Sequence, residues 1–213
     1  MTVRFPVASV LSAENPSVKW TAKLLSMRGL HFLARRFGTR KLQQAAFNAR
    51  FLSGEWNTGP RDVSQDLVEV ILRHASGGKV ALMGCGTGGL AEILDRSECT
   101  SILGIDLSSV AVERAKGRAL TRAQFMVADF SSWDCTEQYD AIVFEESLYY
   151  LPLKKQVHVL TEHRLCLTQT GVFVITVSDA ARYRIMLEMI RSRFYVLEDR
   201  DHGNSLHRLV VFR

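Results

Sequence analysis

KVALMGCGTGGLAEIL, running from Lys79 to Leu94, is the stretch whose reading decides the fold. Five residues of strand character, Lys79 to Met83, pass directly into Gly84-Cys85-Gly86-Thr87-Gly88-Gly89 and then into the start of a helix. Glycines let the backbone turn sharply and approach a ligand with no Cβ in the way, while the helix start offers free N–H groups. Strand, glycine turn and helix in that order make the first half of a βαβ unit, and the chain beyond Pro60 keeps alternating in the same sense. Helices are predicted over 63–75, 88–95, 109–120, 153–167 and 180–193, and strands over 79–83, 101–106, 124–128, 140–145 and 172–177. The tail changes character: FYVLEDRD and LHRLVVFR read as two more strands, joined by a loop that contains Gly203-Asn204. The expected architecture is α/β, a doubly wound and mostly parallel seven-stranded sheet with right-handed crossovers and a closing antiparallel hairpin.

Ahead of this core lies a segment of another kind. Residues 18–52 read as helices with a break at Gly38-Thr39, where Thr39 is placed to N-cap a helix from Arg40 to Leu52. The turn-rich SGEWNTGP (Ser53–Pro60) follows as a linker. Two domains are therefore expected: a basic helical lid or cap over 1–60 and a core over 61–213. The net charge of +5 is unevenly spread, since residues 1–60 hold nine Lys/Arg against two Glu, a balance of +7, leaving −2 for the rest. Such a segment favours anionic substrates, nucleic acid or anionic lipid, and reads equally as a solvated helical face. In KLLSMRGLHFLARRF the apolar residues spread around the helix axis, which favours packing onto the core over lying on a membrane.

At 213 residues and 47% apolar content the chain can bury a sizeable core, and a compact monomer or homodimer is expected. No apolar run reaches the roughly 18 residues that span a bilayer, and Met1–Ser12 lacks the charged and apolar regions of a leader. No membrane role and a cytoplasmic location are the expectations. The four cysteines, Cys85, Cys99, Cys135 and Cys166, form no CxxC pair, so the spacing signals neither a disulfide framework nor a zinc site. His158 and His163 stand five apart, off one helical face, and no metal is expected.

Asp106 ends SILGID twenty residues after Gly86, which puts a carboxylate at the edge of the neighbouring strand, able to accept from both hydroxyls of a ribose. Gly84, Gly86 and Gly89 satisfy GxGxxG, so to this point a dinucleotide dehydrogenase fits as well. Tyr150 and Lys154 even satisfy YxxxK, but Pro152 lies between them and breaks the helix that pair requires. A second acid, Asp129 in FMVADF, and then YDAIVFEESLYYL separate the two readings. Together, GCGTGG, GIDLS, VADF and YDAIVFEESLYYL resemble, in order and spacing, the motifs of class I S-adenosylmethionine-dependent methyltransferases of the small-molecule type, over residues 62–213.

The resemblance implies a Rossmann-like fold and S-adenosyl-L-methionine as cofactor. It implies that Gly84, Cys85 and Gly86 line the methionine and ribose portion through their backbone. Asp106 is implied to hold the ribose hydroxyls, Leu107 to touch one adenine face, Asp129 to accept from the adenine amino group, and Phe130 to lie against the ring edge. The backbone of Glu145 is implied to meet the methionyl ammonium. One departure stands out: many members carry an acid two residues before the first loop glycine, and here that residue is Leu82.

A sulfonium methyl group is already activated, so holding the reactants in line supplies much of the rate, and a base is needed only for a protonated acceptor. Glu145 and Glu146 end a central strand, where open α/β sheets place their ligands. Strand alternation lets at most one face the acceptor, and Glu146 is the expected catalytic group. Tyr149, Tyr150 and Trp56 are the expected substrate-binding residues. EESLYYL resembles small bacterial N-methyltransferases acting on amino sugars. The function expected is methyl transfer to a small-molecule hydroxyl or amine. The alternatives are an RNA or other anionic-polymer methyltransferase, suggested by the +7 segment, and a non-catalytic cofactor-binding partner protein, suggested by Leu82.

Overall fold

The computed structural model describes residues 39–56, 59–202 and 204–213. The helices expected over residues 18–38 lie outside them. The chain divides into two units between Trp56 and Asn57. In the first, helix α1 (Arg40–Leu52) begins where Thr39 Oγ1 accepts from the Leu42 amide. Trp56 folds back onto this helix, its ring 5.6 Å from Phe47 and 5.5 Å from Phe51, with the Arg50 guanidinium 4.5 Å above it.

The second unit carries the sheet. Its elements are α2 (Gln65–Ala75), β1 (Lys79–Met83), α3 (Gly89–Asp95), β2 (Ser101–Asp106), α4 (Ser109–Lys116), β3 (Ala123–Val127), β4 (Tyr139–Glu145), α5 (Leu153–His163), β5 (Leu167–Val177), α6 (Arg184–Arg193), β6 (Val196–His202) and β7 (Asn204–Phe212). Strand order is β3-β2-β1-β4-β5-β7-β6, parallel from β3 to β5 and antiparallel through the closing hairpin. The expected seven-stranded, mostly parallel sheet is the one found.

Both faces are covered, which is why strands such as Val80–Met83 and Ala141–Phe144 are apolar throughout and do not alternate. On one face Leu67 and Ile71 of α2, Leu90 and Leu94 of α3, and Val112 of α4 pack against Val80, Leu82, Val143 and Val174. On the other, Val159 and Leu160 of α5 and Leu187 and Ile190 of α6 pack against Phe144, Phe173, Ile175 and Phe212. Leu82, which stands where the resemblance leads one to expect an acid, belongs to the first of these apolar clusters and is a core residue, 3% exposed.

Element ends differ from the sequence reading where a local bond decides them. Helix α4 stops at Lys116, not 120, because Gly117 caps it and Ala119 takes a left-handed φ of 52°. Helix α5 stops at His163, and β5 starts at Leu167, five residues before the predicted Val172. That early start pairs Leu167 with Tyr139 across a register irregularity. Gly171 is needed there, since a Cβ would lie 2.7 Å from the Tyr139 carbonyl oxygen. Residues 180–183, predicted helical, are held off by the Ala180 amide donating to Leu206 O of the hairpin.

The cysteine expectation is overturned: Cys135 and Cys166 form a disulfide, with Cα atoms 6.1 Å apart. Spacing along the chain gave no hint because sheet pairing brings the two together. Cys135 precedes β4 and Cys166 precedes β5, and these are neighbouring parallel strands whose first residues, Tyr139 and Leu167, pair. The bond closes a sequence separation of 31 residues, for which chain-entropy arguments give a stabilisation of about 2–4 kcal/mol. Urea unfolding with and without a reductant should differ by that amount in wild type and not at all in Cys135→Ser. Superimposed wild-type curves would show that the bond adds no stability.

Candidate active site

The site is built at the C-terminal ends of β1, β2 and β4, where the chain must turn three times in a small space. After Met83 the loop alternates, with φ of +82° at Gly84, +53° at Gly86 and +81° at Gly88. Side-chain-bearing residues resist that left-handed conformation. At Gly84 there is also no room, since a Cβ would stand 2.6 Å from the Cβ of Ser147. The loop is fixed from behind by the Gly84 and Cys85 amides donating to Ile105 O at 2.7 and 3.0 Å. The Ser147 hydroxyl, 6% exposed with its residue, donates to Met83 O and ties the end of β1 to the end of β4.

Asp106 is 6% exposed. Its Oδ2 accepts from the Gly86 amide at 3.0 Å and its Oδ1 from the Ser108 amide at 2.8 Å. The Leu107 amide is a third donor to the same carboxylate. Burial raises the carboxyl from 3.8 to about 6 even against these amide bonds. The Cys85 thiol is pushed well up by burial first and by the Asp106 charge second, which makes it an inert small residue of the loop.

Asp129 ends the β3 segment and is half-buried, with Oδ1 accepting from the Ser131 amide at 2.9 Å, so it caps the short turn Phe130–Ser132. Phe130 packs edge-on against Phe144 with centroids 5.6 Å apart. Leu107, half-buried, directly follows Asp106.

Two carboxylates end β4. Glu145 is raised from 4.5 to about 7, chiefly by burial and then by the neighbouring Glu146 charge. Glu146 has a left-handed φ of 48°, uncommon for a residue with a side chain and a mark of stored strain. Its conformation is held from three sides. Its amide donates to Thr176 Oγ1 at 3.2 Å, while its Oε2 accepts from the Tyr149 hydroxyl and from the Ser178 amide, both at 3.0 Å. Tyr149 stacks on Tyr183 with centroids 4.1 Å apart and planes 11° from parallel, and Tyr150 lies 4.9 Å from Tyr149.

The second unit thus brings together Gly84, Cys85, Gly86, Asp106 and Leu107 along one edge, with Glu145, Glu146, Tyr149 and Tyr150 along the next. Trp56, in the first unit, packs on α1. Sequence reasoning missed Ser147, Ser178 and Tyr183. Ser147 had a signal, since a small residue is required opposite Gly84; Tyr183 had none, because only the α6 approach brings it to Tyr149. Among the described residues, no group of three or more His, Cys, Asp and Glu could hold a metal ion.

Residues 80–171 match the family model of a methyltransferase domain. Over that stretch the core resembles a methyltransferase domain. S-adenosylmethionine is the cofactor such a domain would take, and the residues fit that group: a glycine position with no space for a Cβ, a buried carboxylate at the end of β2, and two acids in succession at the end of β4. Among solved structures, the N-methyltransferase NodS from Bradyrhizobium japonicum WM9 aligns with a TM-score of 0.62 at 20% identity, over 70% of this chain and 92% of NodS. The CcbJ methyltransferase from Streptomyces caelestis aligns with a TM-score of 0.61 at 15% identity, over 75% of this chain and 93% of its own. The [4+2]-cyclase SpnF shares the fold with a TM-score of 0.58 at 17% identity, over 74% and 85% of the two chains. No curated protein matches the chain in sequence. No helix among the described residues is long and apolar enough to cross a membrane.

Proposed function

We propose that the enzyme methylates a small-molecule hydroxyl or amine, with Glu146 as the group that meets the acceptor. The observation that carries this reading is the strained, three-point hold on Glu146 at the end of β4. A protein maintains such strain where the side chain has a task. When bound, the cofactor supplies a methyl group activated by the sulfonium, which passes to the acceptor as the carbon–sulfur bond breaks and its electron pair stays on sulfur. The chain's own work is positioning. Asp106 would accept from the ribose hydroxyls, Asp129 and Phe130 would address the adenine, Leu107 would cover a ring face, and the 84–86 backbone would let the methionine portion approach.

With Leu82 in the core, Glu145 is the nearest acid for the cofactor ammonium. A cation there favours the ionised carboxylate, so binding of S-adenosylhomocysteine, which keeps the ammonium, releases a proton when Glu145 starts out protonated. Affinity should therefore weaken as pH falls through about 7 and level off above it. Calorimetry in buffers of different ionisation enthalpy should find close to one proton released at the acid end and almost none at the alkaline end. A pH-independent affinity would remove Glu145 from the ammonium site.

The deciding experiment for the function is incubation with methyl-labelled cofactor and a metabolite extract, with and without ribonuclease. Label in a small molecule, unaffected by the nuclease, is the expected result. Label in nuclease-sensitive polymer would favour the nucleic-acid reading of the basic segment, and no transfer at all would favour a cofactor-binding role without methylation. The N-terminal segment is proposed to serve acceptor binding. Removing residues 1–53 should lower turnover much further than it lowers affinity for S-adenosylhomocysteine, and full turnover by the truncated enzyme would dismiss that role.

A further inference from the structure

We propose that Glu146, Tyr149 and Tyr183 form a cation-holding relay that selects a protonated amine as the methyl acceptor, with Tyr183 as a positioning residue acting through Tyr149. The inference rests on the reading of Glu146 as the acceptor-facing group and narrows its substrate to one of the two classes left open there.

Three geometric facts carry it. First, both hydrogen bonds to the Glu146 carboxylate fall on one oxygen, Oε2, from the Tyr149 hydroxyl and the Ser178 amide. Donors of that kind fix the position of the carboxylate and its charge. A hydroxyl acceptor needs a strong base; an ammonium needs a fixed negative charge to bind to and passes its proton to that carboxylate far more readily, which frees the nitrogen lone pair that takes the methyl group. The arrangement suits the second task. Second, the hydroxyl making one of those bonds belongs to a ring whose face is fixed by Tyr183, 4.1 Å away and nearly parallel. Tyr183 stands at the entry to α6, following the Ser178–Ala180 segment that supplies the other donor. One short stretch of chain therefore sets both donors. Third, Glu145 lies beside Glu146 at the end of the same strand, so this edge offers two acids in succession. One of these acids would face the cofactor's methionyl ammonium and the other the acceptor nitrogen.

The test uses a probe that reports on the acceptor side without the acceptor. Sinefungin carries an amine-bearing carbon where the cofactor carries its sulfonium methyl, whereas S-adenosylhomocysteine has nothing there. The ratio of their affinities, measured by calorimetry on the full chain, isolates what the protein offers a cation at the transfer position. Wild type should prefer sinefungin. Glu146→Gln should reduce that preference roughly tenfold or more, the loss of one charge-assisted contact, with the affinity for S-adenosylhomocysteine unchanged. Tyr149→Phe and Tyr183→Ala should each reduce the preference several-fold, in the order expected of a relay, and Tyr183→Phe, which keeps the stack, should restore it. Raising the salt concentration should shrink the wild-type preference. An unaltered ratio in Glu146→Gln overturns the proposal. So does equal loss of both ligands in Tyr149→Phe, which would mark the tyrosines as merely structural. Failure of wild type to bind S-adenosylhomocysteine would bring down the underlying cofactor assignment, and the proposal with it.

Discussion

Glu146→Gln is expected to turn over about 10²–10⁴-fold more slowly than wild type, once the labelled-cofactor experiment has supplied an acceptor, while its affinity for S-adenosylhomocysteine stays within error. The amide keeps the shape of the side chain and can still accept from Tyr149 and Ser178, so the fold and the strained backbone should survive. What it lacks is the charge that orients the acceptor nitrogen and eases loss of its proton. Glu145→Gln is the informative companion. It should lose cofactor affinity first, because its place at the strand end suits it to the methionyl ammonium. If Glu146→Gln turned over normally across a range of about three pH units around neutral, Glu146 would have no part in the reaction.

Asp106→Ala should weaken binding of S-adenosylhomocysteine by roughly 1.5–3 kcal/mol, about 10- to 150-fold, because charge-assisted bonds to the ribose are lost. The ligand-free protein should respond in the opposite sense. Asp106 is raised from 3.8 to about 6 by burial, so its contribution to stability is greatest below the unfolded value and is lost as pH rises through the folded one. Above about pH 6 the wild-type fold carries a buried charge that the alanine variant does not. Thermal melts across pH 4 to 8 should therefore show a smaller decline for Asp106→Ala, offset by the loss of amide partners for Gly86 and Ser108. Unchanged ligand affinity would refute the ribose assignment whatever the melts showed.

Much of this protein was written in its sequence. The run from Lys79 to Leu94 and the alternation behind it determined a parallel sheet with its ligand edge at the strand ends, because apolar strands and glycine turns have few other ways to pack. The tail determined an antiparallel close, and the positions of Asp106, Glu145 and Glu146 at strand ends followed from the same pattern. Local signals worked wherever the deciding bond was local, as at Thr39, whose hydroxyl caps α1 three residues on.

Tertiary structure decided whatever depended on residues distant in the chain. The Cys135–Cys166 bond exists because Tyr139 and Leu167 are paired at the start of adjacent strands, a fact of register that no cysteine spacing contains. The start of β5 at Leu167 and the delayed start of α6 at Arg184 were set by Tyr139 and by the hairpin carbonyl of Leu206. Glutamate at position 146 is visible in the sequence, but its left-handed backbone and the one-sided hold on its carboxylate are not. Those came from Thr176 and Ser178 of β5 and its following loop and from Tyr183 behind Tyr149, a side chain 37 residues along the chain from Glu146 and within stacking distance of the ring that holds it.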